Sequence, residues 1–378
     1  MDTRKTRTWA EISLSALRHN VEEILRAVPA GCGLVGVVKA EAYGHGAAPV
    51  AAALRECGAK YLAVACPEEA FALRSEGETL PILILGASDA SWAPRLAEGN
   101  VTQAVECLEK GQALSAALSP GQKLKIHLKL DTGMGRLGFP AGKEAALREA
   151  AAVMALPGLE TEGIFTHFAV SDTPGGEEYT LAQWEIFRSA VDKVEAFSGK
   201  KIPLRHCMNS GGVVSFREFG RDTELCRPGL LIYGVFPGPE RGGLDLVPVM
   251  RLKTRVAAVT HHKKGDTISY GRTWRAERET TLAVIPVGYA DGLHRALSGK
   301  LSVQLRGQRV PQVGRICMDM CMLDVTDVPG VCPGDEATVF GAGEDGGPTA
   351  QELADLAGTI PYELMCAVSP RVPRVYVE

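Results

Sequence analysis

The feature that most constrains this chain is a repeat. Up to about residue 235, short β-branched runs alternate with alanine- and leucine-rich stretches of helical periodicity. Eight runs carry the pattern: Leu34 to Val38, Tyr61 to Ala65, Ile82 to Leu85, Thr102 to Val105, Lys125 to Leu130, Glu162 to Thr166, Leu204 to Cys207 and Leu225 to Tyr233. Between them, segments such as Pro67 to Ser75 and Leu181 to Phe197 place apolar residues three and four apart, as helices packed on a parallel sheet do. Eight βα units fit a closed barrel, so the expected class is α/β with an N-terminal (β/α)8 TIM-type barrel.

At 378 residues the chain exceeds the size at which one core stops growing, and two domains are expected. The Pro- and Gly-rich stretch Pro237 to Gly243 interrupts the repeat, and helical periodicity nearly vanishes after it. The boundary is therefore placed between a barrel over residues 1–236 and a mostly-β domain over 237–378. The first strand, about residues 8–13, is a candidate to pair with the later domain. Strands are expected at Arg255 to Thr260, Thr281 to Val287, Leu301 to Leu305, Met322 to Val325 and Ala337 to Phe340. One helix should start at Thr349, where Thr-Ala-Gln-Glu forms a capping box ahead of Leu353 and Leu356.

Composition excludes several classes. With 46% hydrophobic and 23% charged residues the chain is globular rather than disordered. A net charge of -4 with dispersed basic residues argues against a nucleic-acid surface. The opening MDTRKTRTWAEIS lacks an apolar signal region, and no apolar run is long enough to span a bilayer, so no membrane partner is expected. Ten cysteines are scattered without C-x-x-C spacing, which reads as reduced thiols in the cytoplasm and no metal.

In such a barrel, chemistry gathers where strands end. The first polar residue there is Lys39, which closes Gly33-Leu-Val-Gly-Val-Val-Lys39 and precedes Ala-Glu-Ala-Tyr43-Gly44-His45-Gly46. Its amine would face the barrel mouth over an apolar floor, where desolvation lowers its pKa and favours a Schiff base. Asn209-Ser210-Gly211-Gly212 offers a hydroxyl and open amides near the end of the seventh run, and Gly229-Leu230 follows the start of the eighth.

The block Val38-Lys39-Ala-Glu-Ala-Tyr-Gly-His-Gly46 closely resembles the segment in which alanine racemases hold pyridoxal phosphate. Asp131-Thr-Gly-Met-Gly-Arg136-Leu-Gly-Phe139, Thr166-His167-Phe168, Cys226-Arg227-Pro-Gly229, Ser269-Tyr270-Gly271 and Cys317-Met318-Asp319 resemble further motifs of that family, in its order and across essentially the whole chain. The resemblance implies interconversion of L- and D-alanine, supplying D-alanine for peptidoglycan. Racemisation through a planar carbanion needs proton donors on opposite faces of the substrate–cofactor imine. Lys39 is implied as the base for the D enantiomer and Tyr270, delivered by a partner subunit, as the base for the L enantiomer. A head-to-tail homodimer with two shared sites follows.

The same resemblance assigns phosphate contacts to Tyr43, Ser210, Gly229 and Leu230, with Asn209 in the same loop. It sets Arg227 against the pyridine nitrogen, with His167 as its hydrogen-bond partner. Arginine keeps its proton, so the ring nitrogen stays unprotonated and the cofactor is a weaker electron sink, which limits transamination. Substrate carboxylate recognition falls to Arg136 and the backbone of Met318. Asp319 and Tyr362 are implied to line the entrance, Tyr362 also narrowing the pocket at the cofactor. Lys129 and Arg136 are two close cations that repel unless one is neutralised, and carbamylation of Lys129 is one means.

Other signals point elsewhere. Gly341-Ala-Gly343-Glu-Asp-Gly346 matches a dinucleotide pattern, but Glu344 and Asp345 would oppose a pyrophosphate. His261-His262 could suggest a metal, yet adjacent strand residues point to opposite faces. Rival activities are a racemase of serine or another small amino acid, a decarboxylase on the same barrel, and a non-catalytic carrier of pyridoxal phosphate. Arg227 in place of a carboxylate and Tyr270 in a second domain speak against the last two.

Overall fold

A computed structural model of the chain describes residues 6–341, 343 and 346–378. Ala342, Glu344 and Asp345 of the glycine-rich segment, and residues 1–5, lie outside the described residues.

Eight parallel strands close on themselves. Gly33–Val37 pairs with Tyr61–Val64 on one side and Leu225–Cys226 on the other. Ile82–Ile84, Val101–Val105, Leu124–Asp131, Leu159–Phe165 and Leu204–His206 complete the circuit. Helices such as Pro67–Ser75 and Glu177–Ser198 cover the outside, their buried positions at helical spacing. All eight expected runs contain a barrel strand. The eighth is cut short: only Leu225–Cys226 is extended, and Leu230–Tyr233 forms a 3-10 turn. Pro228 has no amide to donate to a ladder, and Gly229 turns the chain away.

The second layer is a nine-stranded sheet. Its order is Ala258–His262, Thr280–Ile285, Cys321–Asp324, Gln308–Val313, Ser302–Leu305, Glu336–Phe340, Met250–Arg255, Thr8–Ser13 and Arg374–Val377. Thr8–Ser13 runs antiparallel to Met250–Arg255 and parallel to Arg374–Val377, with Ala10 opposite both Leu252 and Arg374. The strand expected over Arg255 to Thr260 is two strands. Val256 donates its amide to Asp335 and Ala257 to Val284, so the chain crosses between distant parts of the sheet at that point. Gln308–Val313 escaped notice because Pro311 interrupts its apolar run.

Thr349 caps Ala350–Ala357 as its sequence implies: its side chain accepts the Glu352 amide while Glu352 accepts the Thr349 amide. A further helix, Pro361–Ala367, carries Tyr362 back to the barrel mouth. Among the described residues no helix is long and apolar enough to cross a membrane.

Candidate active site

Lys39 leaves the first barrel strand on backbone that L residues avoid. Ala40, Glu41, Ala42 and Tyr43 all have φ between +51° and +54°, a left-handed turn costing about 1–2 kcal/mol per residue. The turn is over-determined by its surroundings. Glu69 accepts the amides of Ala40 and Ala65, each at 2.7 Å, tying the turn to the next strand. From the other domain, Arg374 donates to Gly44 O at 2.9 Å and Tyr376 to His45 O at 3.2 Å. Strain held by so many partners marks a functional position.

Lys39 opens into a cavity of about 510 Å³ at the C-terminal ends of the strands. Tyr43, Lys129, Arg136, His167, Asn209, Ser210, Arg227, Gly229 and Tyr362 line it too. Leu230 is fully buried beside Gly229 and does not line the cavity. Burial first, then Arg136, pushes the Lys39 amine below its ordinary value. Burial also raises the Tyr43 phenol and depresses His167 well below the usual histidine range.

One wall is a small polar cradle. Asn209 caps the short helix Ser210–Ser215 by accepting the Gly212 amide at 2.9 Å. Ser210 Oγ accepts the Gly229 amide at 2.9 Å, joining the seventh and eighth loops. A Cβ on Gly229 would sit 2.5 Å from the Tyr43 hydroxyl, so only glycine lets the loop and phenol meet.

The floor is Arg227, buried and still cationic near neutrality although burial lowers it to about 10. Nη1 donates to His206 Nδ1 at 2.7 Å, and Nη2 donates to the carbonyls of Thr166 and Cys207. This corrects the expected partner: His206, not His167, holds the guanidinium, because the Leu204–His206 strand points that imidazole into the barrel. Phe165 stacks on His206 with ring centroids 4.8 Å apart, while Arg227 and Lys129 lie 5.2 and 4.9 Å above its ring. Burial, then Arg227 and Arg136, brings Lys129 down to about 7.

Sequence reasoning missed His206, Phe165 and Glu69. The first two close or nearly close expected strands, where the search for polar residues just past each run did not reach. Tyr270, Met318 and Asp319 stand apart from the cavity. Tyr270 is 72% exposed beside a separate hollow shared with Ser269, Cys317 and Met320. Met318 is exposed, and Asp319 pairs with Arg371 at 2.7 Å. Ser269, at φ +67° and ψ −178°, occupies a region that suits glycine alone, and its hydroxyl is tied to Arg315 O at 2.8 Å.

Two family models cover this arrangement: the alanine racemase N-terminal domain over residues 12–237 and its C-terminal domain over 249–376. The chain belongs to the alanine racemase family. Alanine racemase of Desulfovibrio desulfuricans is 46% identical over 374 residues, covering 98% of each chain. The solved alanine racemase of Clostridium difficile superposes with a TM-score of 0.92 at 36% identity, over 99% of this chain and 96% of that one. Alanine racemase of Bacillus anthracis, solved with bound L-Ala-P, gives 0.91 at 35% identity, over 98% and 95%.

Proposed function

We propose that this chain interconverts L- and D-alanine using pyridoxal phosphate. The observation that carries the reading is one cavity combining a desolvated lysine, a glycine-lined polar cradle and a buried arginine on its floor. Those groups fit the cofactor: the cradle of Ser210, Gly229 and Tyr43 suits its phosphate, Lys39 its carbonyl carbon and Arg227 its ring nitrogen. When bound, pyridoxal phosphate acidifies the α-hydrogen of an amino acid joined to it.

The chain's own groups do the rest. Lys39, its amine depressed by burial, holds or takes a proton on one face of the α-carbon. Tyr270 does so on the opposite face, which requires delivery from a second copy, since its own chain leaves it exposed. Arg227 spends Nη1 and Nη2 on protein acceptors, leaving Nε as a donor toward the ring nitrogen. As a permanent donor it keeps that nitrogen unprotonated, favouring proton return over side reactions. Arg136 supplies a planar fork for the substrate carboxylate, with Met318 and Asp319 beside Tyr270 completing the entrance. Tyr362, its ring 5.6 Å from that of Tyr43, narrows the pocket toward a methyl side chain. Lys129 is a candidate for carbamylation because its depressed amine offers the neutral form that reacts with carbon dioxide. A cytoplasmic homodimer feeding D-alanine to peptidoglycan synthesis fits this chemistry.

Entry of solvent deuterium at the α-carbon, followed from each enantiomer, tests the assignment. Lys39→Ala should abolish exchange from both sides. Tyr270→Phe should impair exchange from L-alanine most, and equal loss from both enantiomers would reject the two-base assignment.

A further inference from the structure

A line of polar side chains runs from the cavity floor through the barrel interior, and the chemistry above leaves its far end without a role. Arg227 Nη1 lies 2.7 Å from His206 Nδ1, and His206 Nε2 lies 2.8 Å from His127 Nδ1. His127 Nε2 faces Glu162 Oε1 at 3.6 Å, a loose donor contact rather than a hydrogen bond, and has no other acceptor among the described residues. Both imidazoles are fully buried. The line ends on the Glu162 carboxylate, which accepts from Tyr61 at 2.9 Å and Thr102 at 2.8 Å, with Lys125 at 3.6 Å from its second oxygen.

Donor chemistry fixes every proton along it. Arginine only donates, so His206 Nδ1 accepts and its hydrogen sits on Nε2. His127 Nδ1 then accepts in turn, and the His127 hydrogen is driven to Nε2, facing Glu162. Both rings are neutral and point the same way. Burial supports this, pushing both imidazoles below the usual histidine range. At the far end, burial raises the Glu162 carboxyl, but the facing His127 ring and donation from Thr102 and Tyr61 outweigh it and hold the group at about 2.

The backbone is shaped for this line. Ile126 pairs with Thr161 but His127 with Gly163, so Glu162 is the extra residue of a β-bulge, a device that re-aims a side chain. A Cβ on Gly163 would lie 2.5 Å from the His127 ring, so glycine makes room for that imidazole. Around Arg227 the titratable neighbours are His206, His127, His167, Lys129 and the thiols of Cys207 and Cys226. No carboxylate contacts the guanidinium among the described residues. A buried cation needs a counter-charge, and Glu162 at the end of two oriented imidazoles is placed to supply it.

We propose that Glu162 is a remote positioning residue for the cofactor site: its carboxylate is the counter-charge at the far end of the line that Arg227 orients, and from that end it holds the His127 and His206 rings, and through them the Arg227 guanidinium, in place as a donor toward the cavity. The effect on the cofactor rests on reading Arg227 as the partner of the ring nitrogen, whereas the orientation of the imidazoles does not.

Two measurements separate these parts. In cofactor-free protein, nitrogen-15 NMR of the histidine rings should show His127 and His206 as single neutral Nε2–H tautomers down to about pH 6 in the wild type. Glu162→Gln, whose amide can present a donor instead of an acceptor to His127 Nε2, should give mixed tautomers at His127. In holoenzyme, the pH midpoint of the cofactor's visible absorbance should fall by roughly half a unit in Glu162→Gln, since a buried negative charge is gone. Should that variant not fold, Glu162→Asp, which keeps the charge but withdraws it from His127, should keep the tautomers and show a smaller fall of the midpoint. Wild-type tautomers and midpoint in a variant that has merely lost thermal stability would overturn the proposal. Failure of the protein to bind coloured cofactor would sink the functional reading while the tautomers still decide the relay.

Discussion

Lys39 and Tyr270 both stand beside backbone that most residues avoid, yet one is walled in and the other is 72% exposed. Around Lys39 the left-handed turn is gripped by Glu69, Arg374 and Tyr376, and the cavity it opens into is lined by residues of the same chain. Around Tyr270 the strained Ser269 is held from behind by Arg315, while the phenol lines a hollow separate from the barrel-mouth cavity. The barrel mouth and the Tyr270 turn are thus two separate surfaces of one chain, which the proposed racemisation would bring together as half-sites from two copies.

The largest test of that contrast mixes two inactive proteins. Lys39→Ala and Tyr270→Phe should each lose roughly 10³-fold or more of activity alone. If the half-sites are exchanged between copies, co-refolding the two variants pairs an intact Lys39 with an intact Tyr270, and about a quarter of wild-type activity should return. No recovery would mean that the halves meet within one chain.

Next in size, Gly229→Ala drives a methyl against the Tyr43 hydroxyl and should cost about 1–3 kcal/mol, read as weaker cofactor retention in dialysis. Retention equal to wild type would show the cradle to be softer than its geometry suggests.

Lys129 gives a smaller and pH-dependent effect. Its folded pKa of about 7 lies below the ordinary lysine value, so the unfolded chain binds the extra proton between those limits and stability falls as pH drops toward 7. Each unit is worth about 1.4 kcal/mol. Lys129→Met removes this penalty, so its melting temperature should exceed wild type most near pH 6.5 and approach it near pH 10. A constant difference would place the lysine in a more polar setting, such as a modified one.

The smallest effect belongs to the second domain away from either half-site. Thr349→Ala breaks the capping box and should lower stability by about 1 kcal/mol in thermal melts with racemisation unaffected.

The barrel was legible because buried parallel strands write themselves as uninterrupted apolar runs, and the helix at Thr349 because its cap is local. Gln308–Val313 was not, since Pro311 hides a strand whose partners, not its own pattern, make it extended. Within the site, residues just past each strand were recoverable, as with Lys39. His206 was not separable from His167 by any local rule, because which imidazole meets Arg227 depends on strand orientation. Glu162 was harder still: alternation alone cannot anticipate a bulge, which depends on pairing with a strand more than thirty residues earlier.

The strand Thr8–Ser13 has a consequence for biogenesis. It leaves the ribosome before any part of the barrel, yet both of its neighbours, Met250–Arg255 and Arg374–Val377, are made only after the barrel is complete. Until Met250–Arg255 is made it is an unpaired ribbon tethered to a folding domain, open to any other exposed edge. Its late capture also means that the second sheet joins segments made on either side of the barrel.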